Sequence, residues 1–272
     1  MVINNKVIGL IAGQGDLPIR IINRCQSEGN RIVAVAFDNQ TPQETVGPIA
    51  HIWLKLGAVA PLLSYFRSEG VTHIVMAGGI RRPSLSELSL DWTGTKLLAK
   101  LGVSSLGDDG LLTAIVKYLE DQGFIVIGAD ELLEDLMMPA QCLTIARPTD
   151  EETHDIKLAR DVLVKLGEAD VGQALVIQQG LILGVEAIEG TEKLIRRTQD
   201  YIRVGRRPIL VKMAKPQQNL KVDLPTIGID TVMQCAISGF AGIAVQAGRT
   251  QILKREEAVH LANEKNLFIL GF

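Results

Sequence analysis

The stretch Leu210-Val-Lys-Met-Ala-Lys-Pro-Gln-Gln-Asn-Leu-Lys-Val-Asp-Leu-Pro-Thr-Ile-Gly228 gathers Lys212, Lys215, Asn219, Lys221 and one carboxylate, Asp223. Ammonium groups neutralise anionic oxygens, an amide binds an oxygen ligand or orients water, and a carboxylate holds a hard cation or takes a proton. The mix suits an anion held near a metal or a water, and makes poor core. A solvated surface loop is the plainer reading, because charged side chains are mostly exposed.

A second pair of acids lies in Gly184-Val-Glu-Ala-Ile-Glu-Gly-Thr191, where an apolar strand pattern encloses Glu186 and ends at Glu189. An unpaired carboxylate inside a strand is costly unless it faces solvent or has a cation partner, such as Lys212 or Lys215 on a neighbouring strand. Period two puts Glu186 and Glu189 on opposite faces of a regular strand. Thr191 reads as the cap of the helix that follows, and Gly190 with that helix start could accept phosphate.

Three glycine-bearing loops add candidates. Gly13-x-Gly15, followed by Asp16, carries part of a dinucleotide fingerprint, with Asp38 ending the second strand where a ribose-binding acid would sit. The third glycine is missing and Pro18 stands in the first turn, which weakens an NAD-dependent oxidoreductase reading and leaves a tight turn or another nucleotide-like ligand for Gly13, Gln14 and Gly15. Gly78 and Gly79 let backbone approach a ligand, with Arg81 and Arg82 able to clamp phosphate or simply to sit in solvent. Gly107-Asp-Asp-Gly110 is read as a helix cap in preference to a Mg²⁺ site.

The elements that must position these residues are legible as patterns. Residues 7–12, 31–37, 73–77 and 124–127 are apolar runs, and residues 17–28, 59–69 and 111–122 have helical period. Such alternation predicts a Rossmann-like parallel sheet, whose ligands bind outside the carboxyl ends of the strands, where the loops 13–18 and 78–83 fall. Residues 137–150 show no sustained period, hold two prolines, and read as a linker before a helix capped by Thr149 or Asp150. Strands at 174–178 and 181–188, a helix from 191 to about 203, a strand at 208–215, a helix capped at Asp230-Thr231 and further strand and helix patterns to residue 270 predict a second α/β domain with a mixed sheet. The division is 1–136, 137–150 and 151–272, in line with the usual domain size of roughly 100–200 residues.

Composition narrows the function. A net charge of −3 gives no general attraction to nucleic acid. No apolar run reaches the roughly 18 residues of a membrane span, and the first residues lack a signal-peptide pattern, so a cytoplasmic protein is expected. Cys25, Cys142 and Cys235 are odd in number and far apart, and the four histidines form no ligand pair, so a disulfide framework or a His-ligated metal is not expected, whereas Mg²⁺ remains open.

Taken in order, Ile11-Ala-Gly-Gln-Gly-Asp-Leu-Pro18, Met76-Ala-Gly-Gly-Ile-Arg-Arg-Pro83, Gly107-Asp-Asp-Gly-Leu-Leu112, Asp170-Val-Gly-Gln-Ala-Leu175, Val185-Glu-Ala-Ile-Glu-Gly-Thr191 and Lys215-Pro-Gln-Gln-Asn-Leu-Lys-Val-Asp-Leu-Pro-Thr-Ile-Gly228 resemble the two-domain UDP-2,3-diacylglucosamine pyrophosphatases of lipid A biosynthesis, the type unrelated to calcineurin-like phosphoesterases. The resemblance spans nearly the whole chain. It implies Mg²⁺-dependent hydrolysis to UMP and 2,3-diacylglucosamine 1-phosphate in an interdomain cleft, with Asp223 the essential acid, as metal ligand or base. Glu186 is a second candidate for either task and Glu189 for catalysis. Lys212, Lys215 and Lys221 would contact phosphate, alongside Asn219, which binds an oxygen ligand or orients water, and Gly13, Gln14, Gly15, Asp16, Gly78, Gly79, Arg81, Arg82, Asp170, Gln173, Gly190 and Thr191 on the substrate. A homodimer and transient contact with the inner membrane surface are family-level and substrate-level expectations. The family pattern Gln-Asp-x-Arg-x-Asp-Leu-Pro is altered here, with Asn219 after Gln218 and Lys221 for the arginine. Lysine supplies charge without the guanidinium fork, so altered efficiency is expected. A non-catalytic nucleotide-sugar or lipid-precursor binder is the alternative.

Overall fold

The computed structural model describes residues 6–81, 91, 92, 94–96, 108–133 and 135–272, the side chains of Asp108 and Asp109 excepted. The chain divides into two compact units, Met1–Glu134 with Asn219–Asp223, and Asp135–Gln218 with Leu224–Phe272.

The first unit alternates β1 (Val7–Ala12), α1 (Asp16–Ser27), β2 (Arg31–Phe37), α2 (Gln43–Val46), β3 (Ala50–Leu54), α3 (Val59–Ser68), β4 (His73–Ala77), α4 (Asp108–Asp121) and β5 (Ile125–Ile127). All pairings are parallel, in the order β3-β2-β1-β4-β5. Strands covered on both faces need apolar residues at nearly every position, which is why β1 and β2 read as continuous runs. Ile11, Val33, Val35 and Ile74 pack against Leu62, Leu63 and Phe66 of α3 and Val116 and Leu119 of α4, with Val222 at the margin of this cluster. The strand order reverses at β1, so the loops after β1 and β4 leave the sheet side by side.

The second unit is built on α5 (Asp150–Glu168), β6 (Ala174–Gln178), β7 (Leu181–Val185), α6 (Thr191–Thr198), β8 (Ile209–Lys212), β9 (Thr226–Ile227), α7 (Ile229–Ile237), β10 (Gly242–Val245), β11 (Gln251–Ile252), α8 (Arg255–Glu264) and β12 (Phe268–Gly271). Its main sheet, β12-β10-β8-β6-β7, is mixed: β12, β10 and β8 run parallel, and β6 is antiparallel to both β8 and β7. Helix α5 covers one face through Ile156, Ala159 and Leu163, against Ile209 and Val211. Helices α6, α7 and α8 cover the other, where Leu194, Val232 and Ala258 share a core with Leu210 and Val245. Period two along β8 therefore sends Lys212 to the α6–α7 side.

Residues 137–150, read from sequence as a linker, are tied into the second unit. Met137 bridges Gln251, Cys142 bridges Leu270, and Thr144 Oγ1 accepts the Ile269 amide at 2.9 Å. Aperiodic sequence hides such pairing because only single bridges form. Thr149 caps α5 as expected, accepting the Glu152 amide at 3.2 Å while the Glu152 carboxylate accepts the Thr149 amide at 2.8 Å. Cys25 and Cys235 are buried and Cys142 is half-buried; burial raises the Cys25 thiol to about 11 and raises that of Cys235 as well, so both stay protonated. No described helix is long and apolar enough to cross a membrane.

Candidate active site

Within the second unit, three of the residues singled out in the sequence meet in one buried cluster. Strand β7 stops at Val185, one residue before Glu186, so Glu186 is not inside the strand as its apolar neighbours suggested; its amide still bonds the Ala174 carbonyl at 2.8 Å. Gly172 makes this possible, since a Cβ there would collide with the Glu186 carbonyl. The Glu186 side chain turns inward, leaving the residue 6% exposed, and Lys212 at the end of β8 is 4% exposed. Thr191 stands between them: its hydroxyl donates to Glu186 Oε1 at 2.6 Å and accepts from Lys212 Nζ at 2.9 Å. Lys212 also donates to the Thr226 carbonyl at 3.1 Å.

Thr191 is thus not the helix cap. Gly190, with φ 82°, occupies that position, and Thr191 opens α6 with its hydroxyl committed to Glu186 and Lys212. A carboxylate and an ammonium outbid a backbone amide for a hydroxyl in a dry site, because charge-assisted bonds are the stronger ones. The same displacement occurs at α7, where Gly228 is the cap and Asp230 lies in the first turn.

The electrostatics of this cluster are strained in one direction. Burial lowers the Lys212 ammonium below its ordinary value, and the Glu186 carboxylate opposes that shift. Glu186 Oε2 is buried with no hydrogen-bond partner. An orphaned carboxylate oxygen beside a buried ammonium and a helix start marks a place where a water or a ligand donor completes the set.

Glu189 has a different occupation. Its carboxylate accepts the Ala187 amide at 3.2 Å and two donors of Arg197 at 2.9 and 3.1 Å. Backbone hydrogen bonds first, and the Arg197 guanidinium second, hold it below the usual carboxylate range, which makes it a weaker base.

After β8 the chain is braced by the residues named with it. Lys215 pairs with Asp170 at 2.6 Å, Gln218 Nε2 donates to Gln173 Oε1 at 3.2 Å, and Gln218 Oε1 accepts the Lys215 amide at 2.9 Å. Asp170 itself adopts a left-handed conformation, φ 54°.

In the first unit the two glycine loops meet. Gln14 and Gly79 exchange backbone hydrogen bonds at 2.8 and 3.0 Å, and the Gly13 amide bonds the Ala77 carbonyl at 2.8 Å. A Cβ on Gly13 would lie 2.6 Å from the Gly79 carbonyl oxygen, so glycine is required here by backbone approach. Gly15, φ 92°, caps α1, with Asp16 in its first turn. The Arg81 amide donates to Gln40 Oε1 at 2.9 Å. Arg82 lies outside the described residues, as do Gly107 and the side chains of Asp108 and Asp109.

The segment Asn219–Asp223 also belongs to this unit, against the reading of 151–272 as one continuous domain. It forms a turn in which the Asn219 carbonyl accepts the amides of Val222 and Asp223 at 3.2 and 3.0 Å. Asn219 Oδ1 accepts the Lys221 amide at 3.1 Å, and the Lys221 ammonium pairs with Glu120 at 2.9 Å. Apolar Val222 decides the placement by packing into the first core. Gly128, after β5, runs close beneath, since a Cβ there would stand 3.6 Å from Lys221 Cα.

Sequence reasoning overlooked Asp130, whose carboxyl lies against Gly128 and is raised by burial and then by its neighbour Glu131. A carboxylate one residue past Gly128-Ala129 at a strand's carboxyl end was the available signal. Gly172 and Thr226 were overlooked as well; the part Thr226 plays is made by its backbone carbonyl and leaves no side-chain signature.

For Mg²⁺ the donor chemistry separates the two proposed ligands. Among the described residues no three His, Cys, Asp or Glu side chains cluster as a ready-made cage. Mg²⁺ commonly takes one or two carboxylates and completes its shell with water and phosphate oxygens, a demand the half-buried Asp223 fits. Glu186 already faces a buried ammonium, and that positive charge opposes a dication at the same carboxylate.

Comparison with known proteins gives consistent results. The LpxI N-terminal domain family matches residues 7–136 and the LpxI C-terminal domain family matches residues 139–270. A protein of Caulobacter vibrioides described as UDP-2,3-diacylglucosamine pyrophosphatase LpxI is 36% identical over 273 residues, covering 98% of this chain and 97% of that one. Among solved structures, N5-carboxyaminoimidazole synthase from Aspergillus clavatus covers 72% of this chain and 44% of its own at 8% identity, with a TM-score of 0.24, too low to bear on fold or function.

Proposed function

Since the chain belongs to the LpxI family, with both of its domains in order, we propose that it hydrolyses the pyrophosphate bond of UDP-2,3-diacylglucosamine, releasing UMP and 2,3-diacylglucosamine 1-phosphate for lipid A biosynthesis. The observation that carries the chemistry is the buried Lys212–Thr191–Glu186 cluster at the start of α6, with its orphaned Glu186 oxygen. Hydrolysis needs negative charge neutralised on the phosphates and a water aimed at phosphorus.

Lys212 is suited to the first task because a desolvated ammonium interacts strongly with an entering oxyanion, and the Gly190–Thr191 helix start adds backbone donors. Glu186 holds that ammonium and the Thr191 hydroxyl in register. Lys215 is oriented by Asp170 and Gln173 orients the Gln218 amide, while Lys221, paired with Glu120, is the first unit's phosphate-binding ammonium. Asp223 is the carboxylate for the second task, accepting the proton of the attacking water, with Asn219 shaping its turn. When bound, Mg²⁺ would sit on Asp223 and lower the charge of the phosphate oxygens. Glu189 acts by fixing the 186–191 turn through Arg197. Gly13, Gln14, Gly15, Asp16, Gly78, Gly79 and Arg81 take the uridine or sugar portion. The proposal includes a cytoplasmic homodimer that draws its substrate from the inner membrane surface.

The test is UMP release from UDP-2,3-diacylglucosamine by the purified chain, with Mg²⁺ and with chelator, beside Asp223→Ala. Loss of roughly 10²–10⁴-fold in the variant, with unchanged circular dichroism, is expected for a missing general base or metal ligand. Near-normal turnover in Asp223→Ala would remove that residue from the mechanism, and substrate binding without turnover in the parent chain would favour a non-catalytic binder.

A further inference from the structure

Residues 196–207, Arg-Arg-Thr-Gln-Asp-Tyr-Ile-Arg-Val-Gly-Arg-Arg, place five arginines and one aspartate in twelve positions of a chain whose net charge is −3. The loop that ends this run, leading from α6 into β8, turns its apolar side chains outward: Tyr201 is 60% exposed, Ile202 37%, and Val204 fully so. A single exposed apolar residue needs no explanation, but three within four positions, interleaved with arginine, form a patch.

The loop is held in shape. Gln178, buried at the end of β6, donates to the carbonyls of Arg203 and Arg206 at 2.8 and 2.7 Å and accepts the Arg203 amide at 2.9 Å. Gln179 donates to the Val204 carbonyl at 3.1 Å, and Gly205, φ 122°, leaves room for the Gln179 amide. A buried glutamine spending all its bonds on one loop presents Val204 to solvent by construction.

The charges are unevenly answered. Arg196 and Arg197 are neutralised by Glu192 and Glu189, and Arg206 lies 3.8 and 3.9 Å from Glu151 and Asp155. Arg207 donates to the Asn266 carbonyl, which leaves its charge unopposed, and the Arg203 side chain makes no contact of these kinds among the described residues. Among the described residues, Arg203 and Arg207 thus stand without a carboxylate partner on either side of a fully exposed valine.

We propose that residues 201–207 dock the second unit onto an anionic bilayer, with Tyr201, Ile202 and Val204 entering the headgroup region and Arg203 and Arg207 meeting lipid phosphates. Apolar tips with arginines beside them are what an anionic interface stabilises, by burial and by charge together. A nucleic acid would be better served by several stacking aromatics, and the loop has Tyr201 alone. This deepens the proposed function, since a diacylated substrate resides in a bilayer. The loop precedes the amino end of β8 and Lys212 stands at its carboxyl end, so the loop moors the unit and does not line an acyl groove.

The experiment is co-sedimentation of the full chain with substrate-free vesicles of phosphatidylcholine, alone or mixed with phosphatidylglycerol. The parent chain should bind the mixed vesicles and not the neutral ones, with binding reduced by salt. A basic residue near such a surface contributes about five-fold, so Arg203→Glu should weaken binding at least about ten-fold, Val204→Asp similarly, and the first-unit control Lys117→Glu little. Inorganic phosphate should not compete as vesicles do. UMP release from detergent-dispersed substrate should be unchanged in Val204→Asp, which shows that the variant is folded and separates failed docking from a failed hydrolase assignment. Equal vesicle binding by parent and variants, or none by the parent, overturns the proposal. So does dissociation of an oligomer in Val204→Asp, which would assign the patch to a second copy, or competition by RNA at matched charge.

Discussion

Lys212 and Glu186 should behave energetically as one unit. Removing the ammonium in Lys212→Met leaves the Glu186 carboxylate in a dry site where Oε1 keeps only the Thr191 hydroxyl and Oε2 has nothing. Breaking a buried pair from one side costs about 3–5 kcal/mol, on the order of 10 °C in Tm for a unit of this size. Glu186→Gln should cost less, about 1–3 kcal/mol, because Lys212 keeps its bonds to Thr191 and the Thr226 carbonyl. In the double variant neither charge is stranded, so its loss should fall about 2–3 kcal/mol short of the two single losses combined. The assay is urea unfolding followed by far-ultraviolet circular dichroism. Trp53 and Trp92 both lie before residue 134, so tryptophan fluorescence would report the first unit alone. Single losses that simply add in the double variant would refute the coupling and the electrostatic reading of the cluster.

Two further outcomes follow from the geometry. Because burial lowers the folded Lys212 value while the unfolded chain titrates near 10.5, the unfolded state binds more protons between those two values, and stability should rise with pH across that window; the rise should be absent in Lys212→Met, as urea unfolding at a series of alkaline pH values will read. Gly13→Ala, whose Cβ would stand 2.6 Å from the Gly79 carbonyl oxygen, should cost about 1–3 kcal/mol and expose the Gln14 and Gly79 amides to faster hydrogen exchange. Unchanged exchange at those amides would mean that the loops separate without cost.

The cost of isolating a charge or of crowding a backbone is legible in sequence. A carboxylate in an apolar run needs a cation, and Glu186 does face Lys212. Glycines that close a strand-end loop imply backbone contact, and Gly13 and Gly78 do meet across β1 and β4. Helix caps are less legible: Thr191 and Asp230 are cap residues by type, yet glycine takes both positions and the Thr191 hydroxyl bonds Glu186 and Lys212. Short elements such as β9 and β11, two residues each, carry no period to read.

The alternation of apolar runs and amphipathic stretches was sufficient by itself to determine two α/β units, one parallel and one mixed, because burial on two faces and the turn of a hairpin are written in neighbouring residues. The loops that bear Gly13 and Gly78 were determined in the same way. Only tertiary structure decided that Lys212 reaches Thr191, 21 residues away, and the Thr226 carbonyl, 14 residues away. It alone grouped Asn219–Asp223 with the first unit and left Glu186 Oε2 without a partner. Those facts depend on strand order and on which face each strand presents to its neighbours, and periodicity along one segment carries no information about the segment that will lie beside it.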